Sequence, residues 1–121
     1  MNITHGLRRA LQINPEGLAT VCAGRRRNWR EVGDRVARLA AGLRASGVGE
    51  GERVAILSLN SDRYLEMYLA AGWCGGVIVP LNIRWSALEN EDALKDCRAV
   101  ALVVDKAFAA TGAVLAKAIP S

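Results

Sequence analysis

The hydrophobic positions from Gly47 to Arg84 alternate between strand-like and helix-like spacing, with a turn signal at every change. Arg53 to Leu59 is a short apolar run rich in β-branched residues, which predicts a buried strand. Tyr64 to Gly72 then carries apolar residues at helical spacing, and Val77 to Val79 is a second buried-type strand that stops at Pro80. Two continuous apolar strands joined by a helix-length crossover predict parallel pairing in a sheet that is covered on both faces.

The chain before this unit predicts a helix and a β-hairpin. Met1 to Asn14 has the pattern of an amphipathic surface helix that stops before Pro15, since proline disfavours the helical conformation in the residue before it. Its arginines and its lack of acidic residues also fit the start of an organelle transit peptide, but the surface helix is favoured. Leu18 to Ala23 and Arg26 to Trp29 flank Gly24-Arg25, and this arrangement predicts a hairpin with its turn at that pair.

Two capping boxes mark the starts of further helices. Asn28 to Glu31 begins a helix with one apolar stripe, which Gly47 is suited to stop. Ser86 to Glu89 begins a second helix that runs to about Cys97. The remaining chain predicts a third buried strand at Val100–Val104 and a last helix at Lys106–Ala118.

Composition and cysteine usage narrow the class of protein. The chain has 121 residues, 51% hydrophobic and 23% charged, which is enough for one domain or part of one. Cys22, Cys74 and Cys97 are odd in number and widely spaced, and His5 is the single histidine. A zinc site or a disulfide framework is therefore not expected, and a reduced cytoplasmic setting is favoured. No apolar run approaches ~20 residues, so no membrane span is expected.

An ordered series of short motifs runs along the chain from about Leu18 to Asp105. It comprises an aromatic-led helix with a small, Ala-rich face, a Gly-rich turn into a strand, a helix ending in glycine, and a Pro-Leu-Asn stop before a capped helix: Trp29, Arg38–Leu43, Gly47-Val48, Gly51–Ile56, Asn60, Gly72, Pro80-Leu81-Asn82 and Ser86–Glu89. This series resembles the N-terminal region of the AMP-forming acyl-CoA synthetases, the acid–thiol ligases of the adenylate-forming enzyme superfamily.

The resemblance implies an α/β fold in which a partial parallel sheet with flanking helices is joined by an N-terminal β-hairpin. Residues 1–121 would then be the N-terminal portion of the large AMP-binding domain, with no second domain in this chain. Enzymes of the resembled family activate a carboxylic acid, fatty or aromatic, with ATP and magnesium to an acyl-adenylate, and the CoA thiol then attacks it. The resemblance therefore implies ATP, Mg and CoA as cofactors and a small-molecule carboxylic acid as substrate for the full-length enzyme.

The adenylation step needs a Ser/Thr/Gly-rich loop ending in lysine, because a triphosphate demands backbone donors and cations. No such run occurs between Met1 and Ser121. We therefore expect an N-terminal fragment, from a truncated gene or made as a piece, with no catalytic residue of its own. Such a chain is expected to bind no cofactor alone and to be inactive alone.

Arg84 is the candidate binding residue. Pro80 has no backbone N–H to donate to the hydrogen bonds between strands, so Leu81 to Trp85 should leave the sheet at its carboxyl edge. Ligands approach open α/β sheets at this edge. A guanidinium there, just before the helix capped by Ser86, suits phosphate recognition. Some acyl-CoA ligases of the resembled family use an arginine at the matching position to contact the CoA nucleotide, and the resemblance implies this for Arg84. A surface arginine without such a role is an equal alternative.

Three other features have simpler structural explanations. Gly47 to Gly51 looks like a dinucleotide fingerprint, but it follows a helix and opens a strand, the reverse of what that motif requires. Arg25-Arg26-Arg27, near Trp29, could be a nucleic-acid patch, but a solvated hairpin tip is favoured because the net charge is only +4. Tyr64, Met67 and Tyr68 are interpreted as packing residues rather than as a ligand site.

Two alternatives to the ligase hypothesis remain. One is a non-catalytic α/β module that binds a partner through an open sheet edge, and the less favoured one is a small basic nucleic-acid-binding protein. Under the ligase hypothesis no nucleic-acid partner and no membrane span are expected. A partial sheet should leave an apolar patch or an unpaired edge, which predicts self-association.

Overall fold

The computed structural model describes residues 4–118, so the first three residues of the predicted N-terminal helix lie outside the described residues. The elements in chain order are α1 (Thr4–Ile13), β1 (Leu18–Cys22), β2 (Arg25–Asn28), α2 (Trp29–Ala45), β3 (Arg53–Leu57), α3 (Asp62–Trp73), β4 (Val77–Pro80), α4 (Ala87–Cys97), β5 (Ala101–Val104) and α5 (Ala109–Leu115). Single 3₁₀ turns, Lys106–Phe108 and Ala116–Ala118, flank α5. Within the described residues, no helix is long and apolar enough to cross a membrane.

The main sheet has three parallel strands in the order β4-β3-β5. Val54 of β3 lies opposite Ile78 on one side and Ala101 on the other, so β3 is paired along both edges. Each crossover between parallel strands contains a helix, as parallel pairing requires. The predicted parallel sheet is thereby confirmed, including its third strand.

Side chains that alternate along β3 enter two separate cores. Val54 and Ile56 pack with buried residues of α1, α2 and α3, among them Leu7, Val36 and Leu69. The intervening residues of β3, Ala55 and Leu57, face the opposite layer. There they pack with buried residues of α4, α5 and their flanking loops: Leu81, Leu94, Ala99 and Leu115. The sheet is therefore covered on both faces, as its continuous apolar strands predict.

Both predicted capping boxes form. Asn28 Oδ1 accepts from the Glu31 N–H at 2.8 Å, and the Glu31 carboxylate accepts from the Asn28 N–H at 3.0 Å. Ser86 and Glu89 make the same reciprocal pair at 3.2 and 3.4 Å. Each box fixes the first turn of its helix and satisfies backbone donors that the helix leaves unpaired.

The hairpin turn lies one residue earlier than predicted. β1 and β2 are antiparallel, with Cys22 opposite Arg25, so the two-residue loop is Ala23-Gly24 rather than Gly24-Arg25. Both loop residues have positive φ, 50° and 80°, because such loops match the right-handed twist of the flanking strands. β2 therefore begins at Arg25.

Two predicted segments differ from the observed elements by more than one residue. β3 ends at Leu57 instead of Leu59, because Ser58 and Leu59 turn away to bond with Asp105. The predicted last helix is broken into α5 and its two flanking 3₁₀ turns.

Gly112 lies directly against Val104, where even a Cβ atom would come within 2.8 Å of a Val104 methyl. This close approach seats α5 on β5.

Candidate functional site

The three parallel strands end at the same edge of the sheet, and the loops that follow them form the candidate site. β3 continues into Ser58, β4 into Leu81 and β5 into Asp105. Because β3 is the central strand, the loop after β4 and the loop after β5 lie on opposite sides of it. The carboxyl edge therefore has two halves, one around Arg84 and one around Asp105.

The Arg84 half is a short loop held at several points. The Leu81 N–H donates to the Ile56 carbonyl at 2.8 Å, which ties the loop to β3 as it leaves the sheet. The Asn82 side chain accepts from the Arg84 N–H at 2.9 Å. The buried Asn90 of α4 donates from Nδ2 to the Asn82 carbonyl at 3.2 Å. The loop backbone is thus fixed by the sheet and by α4, and not by the arginine side chain.

The Arg84 side chain is exposed, and within residues 4–118 its guanidinium belongs to no ion pair. It lies in the loop after the second parallel strand, ahead of the helix capped by Ser86, which is the position the sequence predicts. Its donors are therefore available to an anion at the carboxyl edge.

The Asp105 half was not predicted from the sequence. Asp105 Oδ2 accepts from the Leu59 N–H at 2.9 Å and from Ser58 Oγ at 3.2 Å, so this carboxylate joins the loop after β5 to the loop after β3. An aspartate directly after an apolar strand is the available sequence signal. Its partners lie 46 and 47 positions away, so only the strand order reveals them.

The basic run of the hairpin is not a solvated tip, and that prediction is wrong for two of its three arginines. Arg25 donates to both carboxylate oxygens of Asp62, at 2.8 and 3.2 Å, and Arg27 bonds to the same carboxylate. The Asp62 side chain is only 1% exposed, and that of Arg27 is 15% exposed. Arg26, which lies between them, points to solvent. The run therefore has less free positive charge than its sequence suggests.

A second ion pair extends this cluster along α3. Arg35 of α2 donates to the fully buried Glu66 at 2.5 Å. Asp62 and Glu66 are one helical turn apart, so one face of α3 holds arginines from both the hairpin and α2. The hydrogen bonds from Arg25 hold the pKa of Asp62 well below its usual range, despite the opposing effect of burial.

Metal chemistry has no candidate centre among residues 4–118, since no group of three or more His, Cys, Asp or Glu side chains there could hold an ion. Cys22, Cys74 and Cys97 are free thiols in this structure.

Comparison with known proteins assigns the family. A family model described as AMP-binding enzyme matches residues 7–120. The chain belongs to the AMP-binding enzyme family. It is 44% identical over 108 residues to a feruloyl-CoA synthase of an Amycolatopsis species, covering 89% of this chain and 22% of that protein. It is also 40% identical over 105 residues to the chloroplastic/peroxisomal 2-succinylbenzoate–CoA ligase of Arabidopsis thaliana, covering 87% of this chain and 19% of that protein.

Solved structures agree with this family and confirm the predicted fold class. This AMP-binding family chain superposes on the anthranilate CoA ligase AuaEII, solved with anthranoyl-AMP, with a TM-score of 0.91 and 26% identity over 99% of this chain and 23% of that one. It matches the N-terminal domain of FACL13 from Mycobacterium tuberculosis with a TM-score of 0.89 and 28% identity, over 94% of this chain and 30% of that one. The chain thus spans between 19% and 30% of the length of these matched proteins.

The Asp62 cluster yields a pH-dependent stability prediction for this family member. Asp62→Asn keeps the side-chain size but removes the charge that Arg25 and Arg27 share. We expect the free energy of unfolding at pH 7 to fall by about 2–4 kcal/mol, since breaking a buried ion pair costs ~3–5 kcal/mol and the partial exposure of Arg25 reduces that cost. Asp34→Asn is the matched control, because the Asp34–Arg38 pair is exposed to solvent.

The pH dependence follows from the lowered pKa of Asp62. A carboxylate whose pKa is lower in the folded chain stabilises that state above the unfolded pKa of about 3.9 and loses this contribution as the pH falls below it. Urea unfolding at pH 7 and at pH 3 measures the free energy of unfolding of wild type and of Asp62→Asn. The difference between the two proteins should be smaller at pH 3 than at pH 7. A difference of constant size would contradict the ion-pair explanation.

Proposed function

We propose that residues 1–121 are the N-terminal portion of the large AMP-binding domain of an AMP-forming acid–CoA ligase. The full-length enzyme would convert a carboxylic acid, ATP and CoA into an acyl-CoA, AMP and pyrophosphate, with Mg as the metal. The observation that carries this proposal is the family match over residues 7–120. The names of the relatives, which include a feruloyl-CoA synthase and a 2-succinylbenzoate–CoA ligase, support a CoA ligase and leave the acid open.

In this proposal the chain contributes scaffold and a CoA contact rather than the adenylation chemistry. Residues 1–121 contain no Ser/Thr/Gly-rich loop ending in lysine, which adenylation needs to hold a triphosphate. Its three free thiols suit the reducing, cytoplasmic setting predicted for such an enzyme.

The 121-residue chain by itself should therefore make no acyl-adenylate. ATP–pyrophosphate exchange with a panel of fatty and aromatic acids is expected to stay at background, because the donors that would hold the triphosphate are missing. Acid-dependent exchange above a no-acid blank, removed by denaturing the chain, would contradict the expectation that this chain carries no adenylation chemistry.

Arg84 is the residue proposed to contact a CoA phosphate. Its exposed guanidinium, its freedom from ion pairs within residues 4–118 and its place at the carboxyl edge all support this role. The loop is held by Leu81, Asn82 and Asn90, so the side chain can be removed without loosening the backbone.

Arg84→Ala, made in a full-length polypeptide that carries this region, should weaken CoA use and spare adenylation. Losing one charge-assisted contact costs ~1.5–3 kcal/mol, so the apparent affinity for CoA should fall by about tenfold or more. The thioester-forming and adenylate-forming half-reactions are measured separately. Arg44→Ala is the control, since Arg44 is an exposed arginine in the last turn of α2, which leads into the amino end of β3 at the opposite edge of the sheet. Equal loss in both half-reactions would contradict a CoA contact and indicate that Arg84 only supports the loop.

The edges of the sheet support the proposed self-association and the alternative of a partner-binding module. Among the described strands, β4 and β5 each pair on one side only, and Val77 at the start of β4 is 48% exposed. An unpaired edge with an exposed apolar side chain is a template for pairing with another strand.

We expect a dimer or larger species of this chain in sedimentation velocity, and Val77→Lys should shift it towards monomer because a charged side chain blocks edge pairing. Leu88→Lys is the matched control, since Leu88 is an exposed apolar residue on α4 and not on a strand. A wild-type chain that stays monomeric at high concentration would contradict self-association, and equal effects of both variants would contradict pairing through the β4 edge.

A further inference from the structure

A pocket of ≈ 260 Å³ lies on the Asp105 side of the carboxyl edge, away from the Arg84 loop. It is bounded by α2, by the first half of α3, and by β3, β5 and the loops that follow them. An apolar cavity of roughly 150 Å³ is enough to hold a benzene ring. The pocket therefore has room for one aromatic ring with a small substituent.

The apolar part of the pocket suits an aromatic ring. Its walls include Leu39, Ile56 and Val103, with the Met67 side chain and the Tyr64 ring beside them. Thioether–ring and ring–ring contacts both favour an aromatic guest over an aliphatic one. Burial raises the pKa of the Tyr64 phenol to about 12, so this wall stays neutral at ordinary pH.

Two carboxylates line the pocket, and each has one oxygen without a partner. Glu66 Oε2 accepts from Arg35, but Glu66 Oε1 is buried and has no hydrogen bond within residues 4–118. Asp105 Oδ2 accepts from Ser58 and Leu59, and its Oδ1 is likewise buried and unpaired there. Leaving a buried acceptor unpaired costs ~1–3 kcal/mol, and more for a charged group, so a ligand that donates a hydrogen bond would recover part of that cost.

The charges around the pocket select a neutral donor. Arg35, Arg63 and Lys106 also line it, so positive side chains outnumber the two carboxylates. A ligand ammonium would be repelled by these cations, while a ligand carboxylate would be placed against Glu66 and Asp105. A hydroxyl on an aromatic ring avoids both penalties.

We propose that this pocket is a binding site for a small neutral phenol, whose ring packs against Met67 and Tyr64 and whose hydroxyl donates its one proton to the unpaired Oδ1 of Asp105. The site is separate from Arg84 and does not depend on the proposed CoA contact.

The test compares two probes that differ only in the donor. 4-Methylphenol and 4-methylanisole have the same ring, but methylation removes the hydroxyl proton. Both are titrated into the ¹⁵N-labelled chain, and amide shifts are followed at the lining residues Ser58, Met67 and Lys106. We expect saturable shifts with 4-methylphenol and an affinity for 4-methylanisole at least about tenfold weaker, since a hydrogen bond to a charged acceptor is lost.

Asp105→Asn adds a second comparison. If its amide oxygen keeps the Leu59 N–H bond, the variant turns an NH₂ donor towards the pocket where the carboxylate had an acceptor. Its affinity for 4-methylphenol should fall several-fold, with that for 4-methylanisole unchanged, whereas Asp96→Asn on the exposed side of α4 should behave as wild type. Dispersed amide spectra are required of both variants, and the two-probe comparison in the wild type stands even if one variant fails to fold. Equal affinities for the two probes, or no saturable shift at the lining residues, would overturn the proposal.

Discussion

The burial of β3 from Val54 to Leu57 is the constraint on which the rest of this structure depends. Val54 to Leu57 are buried, with hydrogen-bonded strands on both edges and helices on both faces. A strand in this position cannot satisfy its backbone groups or its side chains alone, so β4, β5 and the helices between them are required for it to exist. The same pairing brings three carboxyl ends to one edge, and thereby creates both halves of the candidate site.

Ion pairs to two buried carboxylates of α3 hold the hairpin and α2 against this helix. Asp62 and Glu66 face the hairpin and α2, and their arginine partners come from residues at least 31 positions earlier in the chain. Burying a carboxylate is costly, and an apolar contact of the same size would serve stability as well or better. An ion pair has a directional requirement that an apolar contact lacks, which fixes how the hairpin is seated against α3.

The two halves of the carboxyl edge differ in chemistry. Around Arg84 the backbone is held by amides and the charged side chain is free, which suits recognition of an anion from solvent. Around Asp105 the carboxylate is itself part of the fold, and the adjoining pocket is lined by both apolar and charged side chains. The first half agrees with the proposed ligase role, and the second is the proposed site for a neutral donor, which this role does not require.

The sequence by itself determined most of the elements, because their signals are local. Apolar runs, capping residues and turn residues act over a few positions, so the strands, the capped helices and the parallel pairing could all be predicted from them. The position of Arg84 followed as well, since it depends only on where Pro80 ends a strand. The tertiary structure decided the partners. The Arg25–Asp62, Arg35–Glu66 and Asp105–Leu59 contacts join residues far apart in the chain, and no local pattern distinguishes an arginine that will meet a buried carboxylate from one that will meet water.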